Sequence, residues 1–223
     1  MVVGLLSLAL AGSLGAVTVI PAEWSVAVGG ESEKQDEVVV QETPRVKHIS
    51  TPESVKGIYM SQCVAGTPSF RDSLVKLIDE TELNSVVIDI KDFTGKIAFP
   101  SDNPILAHSV SDECGARDMK AFVEKLHEKG IYVIGRITVF QDPYYTKLHP
   151  EQAVQSISRP GEPWKDYKGL SFIDVSSRPY WDYVVQLSKE AYEVVGFDEL
   201  NYDYVRYPSD GPMKDAQYVN PNR

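Results

Sequence analysis

Residues 85–91 read Ser-Val-Val-Ile-Asp-Ile-Lys. In an extended chain Val86, Ile88 and Ile90 share one face, and Val87, Asp89 and Lys91 share the other. Such a strand hides one face under an apolar layer and turns charge to the opposite side, so its neighbours decide the fold. Upstream, VKGIYMS at 55–61 reads as a short strand. Ser69-Phe-Arg-Asp72 then starts a helix that carries Phe70, Leu74, Leu77 and Ile78 at helical spacing. Downstream, a helix over 116–129 turns Met119, Phe122, Val123 and Leu126 inward and stops at Gly130. IYVIGRITVF at 131–140 is the third strand, and a short helix is expected around 150–156. Ser177 caps a long helix with an inner stripe of Trp181, Val184, Val185, Ser188 and Val195, closed by Gly196. FDELNYDYVR at 197–206 is the fourth strand.

Strands alternating with helices imply right-handed crossovers and a parallel sheet, hence an α/β fold. A doubly wound sheet and a (β/α)8 TIM-type barrel both begin this way. Two features favour the barrel, with its first four βα units present. No glycine-rich phosphate loop follows the first strand. Charged residues also sit inside the strands, at Asp89, Arg136, Glu199 and Asp203. In the fourth strand Leu200, Tyr202 and Tyr204 share one face, and Glu199, Asn201, Asp203 and Val205 share the other; Arg136 points away from Val133, Gly135 and Ile137. Asp89, Arg136, Asn201 and Asp203 should therefore line a polar lumen near the C-terminal mouth, where barrel enzymes keep their chemistry. Buried charge is costly alone, so these groups should pair with one another or with a ligand.

The remaining chain narrows the class. Its 223 residues carry 32 acidic and 22 basic side chains, a formal charge of −10, which argues against nucleic acid as a partner. Residues 2–20 hold no charge and are mostly Val, Leu, Ala and Gly, so residues 1–22 read as a signal peptide or membrane anchor. The protein is expected to be exported, either extracellular or held at the membrane through that segment only. Residues 23–54 read as a flexible acidic linker, and 55–223 as the half-barrel, with folding expected to begin near Val55. The four histidines and the acids show no metal-ligand spacing, and neither a metal nor a cofactor is expected. Cys63 and Cys114 could both lie near the barrel mouth, where an exported chain permits a disulfide; two lone thiols are the favoured reading, because sequence does not set their distance.

The stretch GFDELNYDYVRYPSDG at 196–211 resembles the signature of a bacterial glycoside hydrolase family, formerly grouped as a domain of unknown function and distantly similar to the α-amylase clan. VKGIYMS, SVVIDIKDFTGKIAFPS, GRITVFQDP and WKDYKGLSFIDVSSRPYWDYVVQLSKEA agree in order and spacing, so the resemblance runs from Val55 to Gly211. It implies a (β/α)8 barrel, a carbohydrate substrate, and Asp203 as nucleophile or stabilising carboxylate. Arg136 or Arg206 would hold that carboxylate ionised. The clan's arginine two residues before the nucleophile is replaced here by Asn201. A general acid is also required; related barrels take it from the fifth strand or later, and none of that is in this chain.

Asp92 and Asp142, each just after a strand, are candidate substrate contacts or turn formers. Tyr59, Tyr144, Tyr145, Trp164, Tyr167 and Tyr207 are rings that could stack on sugar or simply pack. Asp89 is read as a structural partner of Lys91 or Arg136, Glu199 as too low in its strand for catalysis, Asp198 as outward-facing and Asp210 as a turn residue. Two functions stay open at this point: a glycosidase whose chain here is the front half, probed through Asp203, Tyr59, Asp92, Arg136, Asp142, Asn201 and Arg206, or a non-catalytic carbohydrate-binding envelope protein, self-associating if the chain ends at Arg223.

Overall fold

The computed structural model describes residues 46–219. The expected leader, most of the expected linker and the last four residues lie outside this range. No helix among the described residues is long and apolar enough to cross a membrane.

The strands are β1 (Gly57–Met60), β2 (Ser85–Lys91), β3 (Tyr132–Thr138) and, near the end of the chain, β5 (Glu199–Asp203). They form one parallel sheet in the order β1-β2-β3-β5. The order follows the chain, without the reversal that gives a doubly wound sheet its switch point. Helices α1 (Gln62–Ala65) and α2 (Pro68–Asp79) connect β1 to β2, and α3 (Met119–Glu128) connects β2 to β3. Between β3 and β5 come α4 (Pro143–Leu148), β4 (Gln155–Ser156) and α5 (Arg178–Lys189), which runs on as a wider π turn over Glu190–Val195. β4 pairs antiparallel with β6 (Ala216–Gln217) beside a small cluster of Val154, Trp164 and Phe172.

The main core lies between the sheet and the helices. Val86, Ile88 and Ile90 are fully buried there, as the alternation of β2 requires, with Val123, Leu126, Leu187 and Phe197. Gly135 leaves no room for a side chain against the helix layer: a Cβ would stand 3.0 Å from the Phe197 ring and 3.2 Å from Ile90. Gly196, at φ 101°, ends the long helix in a left-handed turn that other residues resist.

Several expectations need correction. On α2, Phe70 and Leu77 are exposed and Arg71 is buried instead. Arg71 turns inward because its guanidinium makes a forked pair with Asp118, at 2.6 and 2.7 Å, and lies 4.6 Å over the Phe122 ring. On α5 the inner stripe is Tyr180, Tyr183, Val184 and Leu187, with Trp181 and Val185 exposed. Tyr180 is drawn in by its hydroxyl, which donates to the Val139 carbonyl and Asp142. The helix expected at 150–156 is a single 3-10 turn, Pro150–Gln152, preceded by α4, which Asp142 caps. The fourth strand stops at Asp203 because Tyr204 takes a left-handed φ of 54°.

The folded part starts earlier than Val55. The Ile49 N–H donates to Asp198 at 2.8 Å, His48 stacks on Tyr192 at 4.0 Å, and Thr51 Oγ1 lies 3.0 Å from the Tyr132 hydroxyl. Asp198 faces the helix layer, where it also accepts from the Val133 N–H and lies 2.9 Å from His127 Nε2. One buried carboxylate gathers these donors and holds the incoming chain. Cys63 and Cys114 are not lone thiols: they form a disulfide with a Cα–Cα distance of 4.4 Å. Gly115 N–H donates to the Gln62 carbonyl and brings the two segments together, a contact that spacing along the chain does not reveal.

Candidate functional site

The alternation of β2, β3 and β5 puts Asp89, Arg136 and Asp203 on one face of the sheet. Asp89 is level with Arg136, and Asp203 lies two residues past Asn201, the β5 residue level with Arg136. The guanidinium bridges the two acids. Its Nη1 donates to Asp89 Oδ1 at 2.7 Å, while Nε and Nη2 donate to Asp203 Oδ2 at 3.0 and 2.6 Å. Tyr59 on β1 extends the row, its hydroxyl donating to Asp89 Oδ2.

The electrostatics differ along the row. The Asp89 side chain is 3% exposed and that of Asp203 is 45% exposed. Burial alone would raise the Asp203 carboxyl. The Arg136 hydrogen bonds, the Tyr204 N–H at 2.7 Å and the charges of Arg136 and Arg206 outweigh it and hold the group below the ordinary carboxylate range. Partial burial, then the hydrogen bond and charge of Asp89, push Tyr59 up to about 12. Burial opposes the charge of Arg136, but its two carboxylate partners raise it further above an already high value. The arrangement therefore offers one ionised carboxylate to solvent, braced by a cation and a buried second acid.

The other sequence candidates divide. Of the two readings of Asp142, substrate contact or turn former, its surroundings match the second: it is fully buried, caps α4 through the Tyr145 N–H, and pairs at 3.0 Å with the fully buried Lys91. Lys91 also donates to the Thr138 carbonyl at 2.6 Å, so its partner is Asp142 and the partner of Asp89 is Arg136. Asp92 closes a turn, accepting from the Thr94 N–H at 2.9 Å and from its hydroxyl, and is 9% exposed. Asn201 is exposed beside Arg136 in register. Arg206 donates to the Tyr207 carbonyl and Ser209, lies 4.8 Å from the Tyr204 ring centroid, and reaches Asp203 through its charge. Glu199 accepts from the Tyr132 hydroxyl at 3.0 Å, low in its strand.

Of the rings, Trp164 and Tyr145 are buried in packing, Tyr144 covers Lys96 at 3.7 Å, and Tyr207 meets Tyr218 edge-on at 5.1 Å. Tyr167 is exposed. Among the described residues no group of three His, Cys, Asp or Glu side chains is placed to hold a metal.

A cleft of about 310 Å³ lies where the loops after β2, β3 and β5 meet; its lining includes Tyr204, the residue after Asp203, and none of the row itself. Phe93, Gln141, Tyr204 and Arg206 come from those three loops, and Asp166 and Lys168 from the β4–α5 connection. Sequence reading found Arg206 and passed over Gln141, Phe93 and Tyr204; the only signal for them was their place one to three residues after a strand.

Three comparisons place the chain among known proteins. No curated protein matches it. A crystal structure of a hypothetical protein from Ruminiclostridium thermocellum is 28% identical, with a TM-score of 0.66 over 74% of this chain and 83% of that one. Alpha-L-fucosidase isoenzyme 2 from Paenibacillus thiaminolyticus shares the fold at 16% identity, with a TM-score of 0.54 over 70% of this chain and 24% of the fucosidase. The chain thus spans about a quarter of that enzyme. Residues 57–223 match one family along their whole length, and the chain belongs to it: the family described as "Putative glycosyl hydrolase domain".

Proposed function

We propose that the protein is a glycoside hydrolase acting on a polysaccharide or oligosaccharide, with Asp203 as nucleophile or stabilising carboxylate. One observation carries this: a half-exposed carboxylate at the C-terminal end of a parallel strand, held ionised by Arg136. An ionised carboxylate is what attack on, or stabilisation of, an oxocarbenium-like anomeric carbon needs. In the retaining form, an Asp203 oxygen bonds to the anomeric carbon as the bond to the leaving oxygen breaks. A general acid gives that oxygen its proton, and water later releases the sugar. A carboxyl with lowered pKa is a poor acid, so the proton comes from a residue other than Asp203. In this reading the strands, in chain order without reversal, are the first four of a (β/α)8 barrel, and Asp203 lies at its catalytic mouth.

The reading extends to the setting. The apolar start of the chain supports export, extracellular or membrane-held through that segment alone, and the Cys63–Cys114 disulfide suits an oxidising compartment.

A second reading, a carbohydrate-binding envelope protein without catalysis, has one observation in its favour. Both oxygens of Asp203 are already engaged, Oδ2 by Arg136 and Oδ1 by the Tyr204 N–H. Incubating the full chain with a panel of oligosaccharides and analysing products by mass spectrometry separates the two. Shortened sugars support hydrolysis; binding with no product from any sugar supports the second reading.

A further inference from the structure

Asp89 and Asp203 compete for one cation from unequal positions. The Asp89 side chain is 3% exposed, so its oxygens depend on protein donors; that of Asp203 is 45% exposed and can turn to water. An open oxygen on a buried carboxylate is far more costly than one on a half-exposed carboxylate. On that ground alone Asp89 should draw Arg136 to itself. Yet Arg136 gives Asp89 only Nη1, at 2.7 Å to Oδ1, and uses Nε and Nη2 on Asp203 Oδ2. The Tyr59 hydroxyl explains the division. It donates to Asp89 Oδ2 and is the only other hydrogen-bond donor to this carboxylate among the described residues.

We infer that Tyr59 is a positioning residue for Asp203: by occupying Asp89 Oδ2 it leaves two nitrogens of Arg136 to hold Asp203, a carboxylate it does not itself bond. The inference rests on the glycosidase reading for what Asp203 does. The sheet order β1-β2-β3-β5 sets hydroxyl, acid, cation and acid side by side, so each member of the row meets a complementary neighbour. Two further charges face the row. Asp92 acts on Tyr59 and Arg206 on Asp203, each through its charge, while their hydrogen bonds go to Thr94 and to Tyr207 and Ser209. Without the Tyr59 hydroxyl, Asp89 Oδ2 stands open. The planar guanidinium then turns Nη1 and Nη2 onto both Asp89 oxygens, and its hold on Asp203 lengthens. Without the Asp89 charge the competition ends, and Arg136 stays on Asp203. The two substitutions therefore act on Asp203 with opposite signs, whereas a general loosening of the sheet would move it the same way in both.

The test is carbon NMR of the aspartate carboxyl groups in the full chain, titrated from pH 7 to pH 2.5, with the Asp203 signal assigned by its loss in Asp203→Asn. Tyr59→Phe should raise the Asp203 midpoint by about one pH unit, the size of a weakened charge pair. Asp89→Asn should leave that midpoint where it is or lower it. Tyr59→Phe combined with Asp89→Asn should match Asp89→Asn alone, because Tyr59 acts only through Asp89. If Tyr59→Phe does not fold, this last comparison decides. An unmoved midpoint in Tyr59→Phe, a raised one in Asp89→Asn, or a double variant that differs from Asp89→Asn overturns the inference. Where the unaltered protein cleaves a sugar, the acidic limb of its kcat/KM profile should move up in Tyr59→Phe together with the midpoint. The expected titrations with no hydrolysis of any sugar remove the glycosidase reading and leave the positioning role standing. Hydrolysis that is lost in Asp203→Asn, with an unmoved midpoint in Tyr59→Phe, does the reverse.

Discussion

Arg136 on β3 reaches across to β5 and holds Asp203 Oδ2 with two nitrogens, Nε at 3.0 Å and Nη2 at 2.6 Å. The same side chain uses Nη1 on Asp89, so one guanidinium fixes two acids on the strands either side of its own.

Arg136 should therefore matter to folding as well as to the site. Arg136→Met leaves Asp89, 3% exposed, without its cation. Stranding a buried charge costs roughly 3–5 kcal/mol; because Asp203 is half in water, the lower end, about 3 kcal/mol, is expected. Urea unfolding at pH 7 reads the difference, and a loss below about 1 kcal/mol would mean that Asp89 relaxes toward water.

The pH dependence has a defined sign. The folded-state pKa of Asp203 is lowered, so the group adds stability above its unfolded pKa, about 3.9, and loses it as pH falls through the folded value. The stability gap between the protein and Asp203→Asn should be full at pH 6 and close progressively below about pH 4. Denaturant midpoints from pH 6 to pH 2.5 measure it, and a gap that widens on acidification would reverse the assignment.

Tyr59 provides an alkaline counterpart. Its pKa is raised to about 12, so its contribution is complete below about pH 10 and lost as pH rises through 12. Tyrosinate absorbance at 295 nm should lose one late-titrating group in Tyr59→Phe. Loss of a group near pH 10 instead would show that the hydroxyl is not on Asp89.

The Cys63–Cys114 bridge closes a sequence separation of 51 residues. In the chain-entropy account such a loop is worth about 4 kcal/mol. Replacing both cysteines by Ser should lower Tm by about 10 °C. A shift within about 2 °C would mean that contacts such as the Gly115 N–H bond to the Gln62 carbonyl hold the segments without the disulfide.

Lys91 and Asp142 form a fully buried pair. Lys91→Met alone leaves a buried carboxylate unmatched and should cost about 3–5 kcal/mol. Adding Asp142→Asn should recover part of that loss, because the amide keeps the α4 cap while shedding the charge. Additive losses in this double-mutant cycle would show that the two side chains do not interact.

How far the sequence could be read follows from what each feature depends on. The faces of β2 and β3, and with them Asp89 and Arg136, were legible because side chains alternate strictly along a strand. Helix faces were less so. The inward residues Arg71 and Tyr180 have polar tips, whose partners Asp118 and Asp142 lie 47 and 38 residues away. A reading by hydrophobicity rotates such helices toward Phe70 or Trp181. The same distance problem hid the disulfide, the Lys91–Asp142 pair and the docking of Ile49 on Asp198. Gln141 was invisible for a different reason: a buried amide without a partner is recognised only when everything around it has been placed.

The most direct test is the hydrolysis rate of Asp203 variants, in the full-length polypeptide and on a sugar the unaltered protein cleaves. Asp203→Asn should fold cooperatively at pH 7 with a somewhat lowered thermal transition, keep its KM within a few-fold, and lose about 10³-fold or more in kcat. Azide added to Asp203→Gly should restore part of the rate and yield a glycosyl azide. A folded Asp203→Asn protein with undiminished kcat would contradict the central claim, leaving the Arg136–Asp203 pair as a structural bridge.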